Sequence, residues 1–295
     1  MTPPVSTTNA CRMCMPLGAV LAFAGIEKAV PLLHGGQGCA TYIRRYLISH
    51  FNEPVDVASS SFAEADTVFG GESTLHQGIR NLVLGYDPGL VGVATTCLAE
   101  TIGEDVPAML GRLRGGDDAE ALPPMVDVAT PSYAGTHADG FRAAVAAVVD
   151  KLACPGETGA GETCGRVLLL PGILSPADLR HLREFCDGAG VPVTLLPDYG
   201  DSLDGPATDV YPVLRPGGTP LRAIVRAGAA PAAITLGGLA VPGTASAGEI
   251  LAARFGTPHH QLPLPIGIRL TDRFAAVLGG LAKARAEAGA EARPE

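Results

Sequence analysis

The segment Ala29-Val-Pro-Leu-Leu-His-Gly-Gly-Gln-Gly-Cys39 joins an apolar run to a glycine-rich turn that ends in one cysteine. Apolar residues that stop at Gly-Gly-x-Gly predict a buried strand followed by a tight loop, since glycine tolerates the backbone angles of such a turn. We therefore expect Cys39 at the carboxyl end of a strand. His34, which ends the apolar run, is interpreted as a satisfied core or interface histidine rather than a metal ligand.

Three further apolar runs end in small polar or sulfur residues, at residues 55–61, 90–97 and 125–132. Helix-like segments separate them, so the first half of the chain has a β-loop-α period. In an open parallel sheet the carboxyl ends of the strands share one edge, where sites form. We expect Cys39, Cys97 and Ser132 to converge there, with Cys14 reaching the same edge from the start of the first helix.

The predicted fold class is α/β, with two consecutive Rossmann-like βα domains and mainly parallel sheets. A Gly-, Pro- and Glu-rich segment at residues 155–163 marks the domain boundary. The expected divisions are a first βα domain over 1–152, a linker over 153–164, a second βα domain over 165–284 and a flexible tail over 285–295. Residues 98–113 are predicted to form a single helix, and the helix over 41–50 is expected to bury Tyr42, Tyr46 and Leu47.

Composition excludes several classes of function. The chain has 295 residues, 47% of them hydrophobic, and a net charge of -9 with no Lys/Arg block, so a nucleic-acid partner is not expected. The most apolar window, residues 15–33, is interrupted by Glu27, Lys28 and Pro31, so no membrane span is expected. Residues 1–8 lack the pattern of a secretory signal, and the expected location is cytoplasmic.

The seven cysteines are more typical of metal ligands or buried thiols than of a disulfide framework. Cys39 has the small neighbours Gly38 and Ala40, as the approach of a bulky iron–sulfur cluster requires, although Cys14, Cys39 and Cys97 could each equally be a small buried hydrophobe. Cys11 and Cys14 could form half of a zinc site or a redox pair, but no second half or preceding strand supports either interpretation. The cysteines interpreted as structural are Cys154, Cys164 and Cys186.

Six ordered motifs are typical of one family: Cys14-Met-Pro-Leu-Gly-Ala, His34-Gly-Gly-Gln-Gly-Cys39, His50-Phe-Asn-Glu-Pro54, Val68-Phe-Gly-Gly71, Thr95-Thr-Cys-Leu-Ala-Glu100 and Thr130-Pro-Ser132. In order and spacing they resemble the β-type chain of nitrogenase component 1. That group includes the molybdenum–iron protein β subunit and its relative on the FeMo-cofactor assembly scaffold. The resemblance covers most of residues 10–140.

The resemblance implies a role for each matched residue. Cys14, Cys39 and Cys97 correspond to thiolate ligands of an iron–sulfur cluster of 4Fe-4S or P-cluster type, shared with an α-type partner chain. Ser132 corresponds to a serine that lies beside that cluster and can join it on oxidation. Phe69 corresponds to an aromatic residue on the surface where the reductase Fe protein docks; the alternative is a turn aromatic packed inward.

Two departures from the family pattern favour one branch. The family's β chains have three βα domains where this sequence has two, and the long extension that precedes the first ligand cysteine in catalytic β chains is short here. The resemblance then implies an assembly-scaffold subunit, in a heterodimer or heterotetramer whose α-type chain mainly holds the FeMo-cofactor precursor, and not an enzyme by itself. One alternative is the β subunit of a catalytic nitrogenase or nitrogenase-like reductase that relays electrons through a P-cluster. The other is a cluster-free, truncated structural module.

Overall fold

The computed structural model describes residues 12–116, 119–155, 165–207, 209–210, 212–237 and 245–291. Two four-stranded parallel sheets confirm the predicted α/β class. Cys11, Cys164, most of the predicted linker and residues 292–295 lie outside the described residues. Among the helices that the structure does describe, none combines the length and the apolar character needed to cross a bilayer.

The first half forms a sheet with strand order β2-β1-β3-β4. Its elements are α1 (Met15–Ala24), β1 (Ala29–His34), α2 (Gln37–His50), β2 (Ala58–Ser59), α3 (Glu64–Phe69), α4 (Glu72–Tyr86), β3 (Leu90–Thr95), α5 (Cys97–Ile102), α6 (Val106–Arg114), a 3-10 turn (Ala119–Ala121), β4 (Met125–Val128) and α7 (His137–Leu152).

The second half forms a sheet with strand order β6-β5-β7-β8. Its elements are β5 (Val167–Leu170), α8 (Pro176–Gly188), β6 (Val193–Leu195), α9 (Leu221–Val225), a 3-10 turn (Arg226–Ala229), β7 (Ala233–Leu236), α10 (Ala247–Phe255), β8 (His259–Leu262) and α11 (Ile268–Glu291). The last helix continues through residues 285–291, which the sequence assigned to a flexible tail.

The two central strands of the first sheet, β1 and β3, are buried along almost their whole length. Their continuous apolar runs suit strands that helices cover on both faces. The parallel register pairs Ala29 with Leu90 and His34 with Thr95, so both strands end at the same level. The loops that follow β1 and β3 therefore leave the sheet side by side.

Helix α1 is buried from Met15 to Phe23 and packs tightly against α7. A Cβ added to Gly18 would lie 1.7 Å from the carbonyl oxygen of His137, and one added to Gly140 would lie 2.0 Å from that of Met15. Only glycine allows this approach, in which the backbones of the two helices touch. The contact fixes where α1 begins, and with it the position of Cys14.

One apolar core runs from the first sheet into the second and includes residues of α1, α7, β5 and β7. Backbone hydrogen bonds also hold the turn after α1 to the second half. Thr219 donates to the carbonyl of Gly25 across 2.8 Å, and Glu27 donates to that of Thr219 across 3.0 Å. The two βα units therefore pack against each other directly, while the proposed domain divisions remain a prediction.

Two local predictions are wrong. Helix α2 buries Ala40, Ile43 and Leu47, whereas Tyr42 and Tyr46 are 65% and 52% exposed. The buried positions recur every three to four residues, and the tyrosines lie just off that face.

The helix predicted over 98–113 is two helices, α5 and α6. Gly103 takes a left-handed conformation (φ 81°) at the end of α5. The side chain of Asp105 then caps α6 by accepting from the N–H of Ala108 across 3.0 Å.

Candidate functional site

Cys39 follows the turn at the end of β1 and is the third residue of α2, exposed to solvent. The turn requires glycine at Gly35, where φ is 150° and an added Cβ would lie 1.9 Å from Oγ1 of Thr96. The N–H of Gly35 donates to Oγ of Ser60 across 2.9 Å, which anchors the turn to the end of the neighbouring strand β2. Cys39 therefore lies at the carboxyl edge of the first sheet.

Cys97 follows β3 in the same way and is the first residue of α5, half-buried. The N–H of Thr96 donates to the carbonyl of His34 across 3.0 Å, which joins the Cys97 loop to the Cys39 loop. The backbone N–H of Ser132 donates to Sγ of Cys97 across 3.3 Å. Ser132 is thus brought beside Cys97 by the loop that follows β4.

Cys14 is the exposed residue immediately before α1. Two hydrogen bonds join its neighbour Met13 to the start of α7. The N–H of His137 donates to the carbonyl of Met13 across 2.8 Å, and the N–H of Met13 donates to Nδ1 of His137 across 3.3 Å. These bonds and the packing of α1 on α7 hold Cys14 in place although it lies outside the sheet.

The pKa of the Cys39 thiol responds to two other cysteines. Partial burial raises the pKa of the Cys39 thiol, and the charges of Cys97 and then Cys14 raise it further. Like charges act in this way most strongly at close range, which agrees with the adjoining loops that carry Cys39 and Cys97. We call Cys14, Cys39 and Cys97 together the thiol edge. Their role as ligands remains a prediction.

The donor set of the thiol edge suits an iron–sulfur cluster better than a single ion. Among the described residues, no three His, Cys, Asp or Glu side chains are grouped closely enough to hold one metal ion. A cluster instead needs thiolates spaced around several iron atoms. The backbone leaves room for it, because a Cβ added to Gly36 or Gly38 would meet nothing within 4 Å.

A buried hydroxyl group beside Cys97 also fits a bound group. Thr96 is 1% exposed, and its Oγ1 has no hydrogen-bond partner within the described part of the chain. Buried hydroxyl groups normally have such a partner, and hydrogen bonds from residues around the ligands are typical of metal sites. The residues at the thiol edge therefore fit an iron–sulfur cluster in donor type, space and unsatisfied polar groups.

Phe69 is the last residue of α3 and is 87% exposed, next to Val68, which is 74% exposed. The alternative of an aromatic residue packed inward is therefore wrong. The neighbouring Gly70 has a φ of 91°, so α3 ends sharply and leaves the phenyl ring in solvent. An exposed ring of this kind suits contact with another protein, and its docking role remains a prediction.

The sequence-based interpretation of His34 is confirmed, but its partners were missed. Its imidazole is fully buried and bonds to Ser60 through Nδ1 and to Glu104 through Nε2, each across 3.1 Å. Burial lowers the pKa of His34, and the hydrogen bond and charge of Glu104 oppose that shift only in part. A buried histidine implies polar partners, yet nothing local identifies Glu104, 70 residues further along.

The other described cysteines lie apart from this set, and the five described cysteines are all free thiols. Cys186 is buried in α8, where desolvation raises its pKa to about 12, consistent with a structural thiol. Cys154 is exposed after α7.

The sheets define a parallel, doubly wound α/β protein with polar and sulfur side chains at its carboxyl edge. The chain belongs to the nitrogenase component 1 type oxidoreductase family, which it matches over residues 14–295. Within that family it is a β-type chain. Both the fold and the family implied by the sequence motifs are thus confirmed.

The individual relatives include molybdenum-iron protein beta chains and a cofactor biosynthesis protein. The chain is 33% identical over 273 residues to the nitrogenase molybdenum-iron protein beta chain of Clostridium pasteurianum, covering 92% of this chain and 57% of that protein. It is 35% identical to the beta chain of Methanococcus maripaludis, covering 90% and 58% of the two chains. It is 31% identical to the iron-molybdenum cofactor biosynthesis protein NifN of Nostoc sp., covering 92% and 59%.

A solved structure described as "Nitrogenase Cp1 at pH 6.5" superposes with a TM-score of 0.85 at 33% identity, over 95% of this chain and 60% of that one. The chain spans about 57–60% of the length of these relatives.

Proposed function

We propose that this chain is the β-type subunit of a nitrogenase-like component 1 complex that serves as a scaffold for FeMo-cofactor assembly. In this role it pairs with an α-type chain, in a heterodimer or heterotetramer, and the two hold an iron–sulfur cluster at their interface. The α-type chain mainly holds the FeMo-cofactor precursor, and the reductase Fe protein docks at the surface that presents Phe69.

The observation that carries the proposal is the placement of Cys39 and Cys97 on loops that leave the paired strands β1 and β3 side by side and are joined by the hydrogen bond from Thr96 to His34. Repulsion between neighbouring thiolates is relieved when positive metal ions lie between them. Cys14 and Cys39 are also exposed, so they are accessible to a cluster that a second chain helps to bind. Such a site is open on the side where an α-type partner would complete it.

An iron–sulfur cluster bound there would supply single-electron transfer at a potential that the surrounding protein tunes. Cys14, Cys39 and Cys97 would hold it as thiolates. The Ser132 N–H would donate to the ligand sulfur of Cys97, and the Ser132 hydroxyl lies on the same short loop. Hydrogen bonds to ligand sulfurs are among the means by which a protein sets a cluster's potential.

The scaffold role and the catalytic role share this site, and different observations support each. The local sequence from Ala40 to Ser49 favours the scaffold. The similarity to molybdenum-iron beta chains at 33–35% identity and the presence of all three cysteines favour a catalytic β subunit. We therefore keep the catalytic subunit, relaying electrons through a P-cluster, as the second candidate.

Anaerobic co-expression with an α-type partner tests the proposal. We expect the purified complex to contain iron and acid-labile sulfide, and the variants C14A, C39A and C97A to lose most of both. C154A is the matched control, because Cys154 is also an exposed free thiol but lies after α7. Wild-type complex without iron would support the cluster-free structural module instead.

A second measurement separates the two remaining roles. An assembly scaffold should pass its bound precursor to a cofactor-free nitrogenase and restore activity there, without reducing substrate itself. A catalytic β subunit should support substrate reduction when the complex receives the reductase and ATP. Substrate reduction by the complex would therefore overturn the scaffold role while leaving the iron–sulfur site intact.

A further inference from the structure

We propose that His34 and Glu104 are positioning residues that couple the loop carrying Phe69 to the thiol edge. The loop in question comprises residues 68–71, and we call it the Phe69 loop. This inference rests on the proposed function, because it assigns the pair a role between the docking surface for the reductase and the cluster ligands.

A continuous chain of hydrogen bonds joins the two regions. The N–H of Gly71 donates to Oε1 of Glu104 across 3.0 Å, and Oε2 of Glu104 lies 3.1 Å from Nε2 of His34. On the other side of the ring, Nδ1 of His34 lies 3.1 Å from Oγ of Ser60, which accepts from the N–H of Gly35 across 2.9 Å. Gly35 begins the turn that leads to Cys39.

One arrangement of protons satisfies every group in this series of hydrogen bonds. A neutral His34 with its proton on Nε2 donates to the Glu104 carboxylate, and the Ser60 hydroxyl then donates to Nδ1 while its oxygen accepts from Gly35. The opposite tautomer would point a nitrogen lone pair at the carboxylate. The lowered pKa of His34 is consistent with the neutral form. Every donor in this series of hydrogen bonds therefore has an acceptor, and the donors point from Gly35 through Ser60 and His34 toward Glu104.

The pair is buried, so its geometry is tightly constrained. His34 is fully buried and the Glu104 side chain is 4% exposed. The Phe62 ring packs edge-on against the imidazole with ring centroids 4.7 Å apart. A Cβ added to Gly71 would lie 2.3 Å from the Phe62 ring and 3.1 Å from Cε1 of His34. The Phe69 loop therefore packs closely against Phe62 and the buried pair at Gly71.

The backbone of His34 extends the coupling to the second cysteine loop. Its carbonyl accepts from the N–H of Thr96, which precedes Cys97, while its own chain continues through Gly35 toward Cys39. One residue is thus joined to the Phe69 loop through Glu104 and to both cysteine loops through its own backbone. Coupling between two sites is reciprocal, so a change of state at the thiol edge should also be felt in the Phe69 loop.

Amide hydrogen exchange in the complex of this chain with its α-type partner tests the coupling. We expect exchange in residues 68–71 to differ between the oxidised and reduced complex. E104L should remove that difference, because an aliphatic side chain accepts from neither Gly71 nor His34. It should also weaken reductase binding roughly tenfold, the loss expected for one hydrogen bond to a charged group, at unchanged iron content. E64L is the control: Glu64 lies at the exposed start of α3, the helix that ends at Phe69, and its replacement should leave both measurements as in wild type.

Ser60→Ala interrupts the series of hydrogen bonds at a second, independent point. It removes the donor to Nδ1 of His34 and the acceptor of the Gly35 N–H. It should also remove the redox-dependent difference in exchange at residues 68–71. If the difference persists in both variants, or if both lose iron and unfold more easily with no selective change at the loop, the pair is only structural and the inference is overturned. Absence of iron from the wild-type complex would instead overturn the proposed function, and the inference with it.

Discussion

The backbone N–H of Ser132 donates a hydrogen bond to the Sγ of Cys97 across 3.3 Å. The bond comes from the backbone, so it does not depend on the serine side chain. The loop after β4 is placed for this contact by Thr130, whose N–H donates to Oγ1 of Thr95 across 2.9 Å and whose hydroxyl donates to the Thr95 carbonyl across 2.6 Å. The end of β4 is thereby locked to the end of β3.

This geometry separates two possible effects of Ser132 on a cluster. We expect S132A to keep the N–H bond and the reduced-state potential, and to change only the oxidised state that the hydroxyl would join. S132P, which removes the N–H, should shift the potential to more negative values, since hydrogen bonds to sulfur stabilise the reduced cluster. Redox titration followed by electron paramagnetic resonance measures both. Equal potentials in wild type and S132P would show that the backbone hydrogen bond does not affect the potential of the cluster.

Two adjacent threonines give a matched test of the unsatisfied hydroxyl. Thr96 Oγ1 is buried without a partner in the described chain, whereas Thr95 Oγ1 accepts from Thr130. In the absence of iron and partner, T96V should raise the free energy of unfolding by about 1 kcal/mol, and T95V should lower it by about 1–3 kcal/mol. Urea denaturation measures both changes. A destabilised T96V would mean that Oγ1 already has a partner.

In the iron-containing complex the effect of T96V should be the opposite of its effect on the chain alone. If the cluster or the α-type chain supplies the missing partner, T96V should weaken cluster retention there, while stabilising the chain alone. Iron loss during dialysis against a chelator measures retention. T96V that retains iron as well as wild type does would show that the hydroxyl takes no part in the site.

The contact between α1 and α7 predicts a large effect of a single methyl group. G18A should lower the free energy of unfolding by about 3 kcal/mol or more, because its Cβ would lie 1.7 Å from the His137 carbonyl oxygen and the helices must separate. G111A is the control: Gly111 lies in α6, and an added Cβ meets nothing within 4 Å. It should stabilise by about 0.5–1 kcal/mol through helix propensity. Similar values for the two variants would contradict the packing described here.

The buried His34 and the half-buried His137 predict a loss of stability in acid. Burial lowers the pKa of both His34 and His137, so below the unfolded value of about 6.5 the unfolded chain binds more protons than the folded one. The free energy of unfolding should therefore fall as pH decreases from 7 toward 5, by up to about 1.4 kcal/mol per pH unit for each histidine.

H137N tests the contribution of one histidine to this slope. The asparagine side-chain oxygen can accept the Met13 N–H, as Nδ1 of His137 does, but it does not titrate. The variant should therefore show a smaller decrease between pH 7 and pH 5 in urea titrations. An unchanged slope would exclude His137 from the pH dependence.

Much of the molecule follows from short-range patterns in the sequence. Continuous apolar runs predict buried parallel strands, and glycine turns predict where they end, so Cys39 and Cys97 are correctly expected to follow β1 and β3 at one edge. These features are local because strand burial and turn geometry depend on adjacent residues. The motif order was specific enough to identify the family.

Other features depended on contacts between distant parts of the chain. Glu104 reaches His34 from 70 residues away, Gly18 matters because α7 crosses it, and Tyr42 and Tyr46 are exposed because only one face of α2 meets the core. No local pattern encodes these contacts, because they arise from the strand order and from which helix covers which face of the sheet. Residue chemistry along the chain thus predicted the thiols and the edge where they lie, whereas packing across the fold selected the groups that surround and position them.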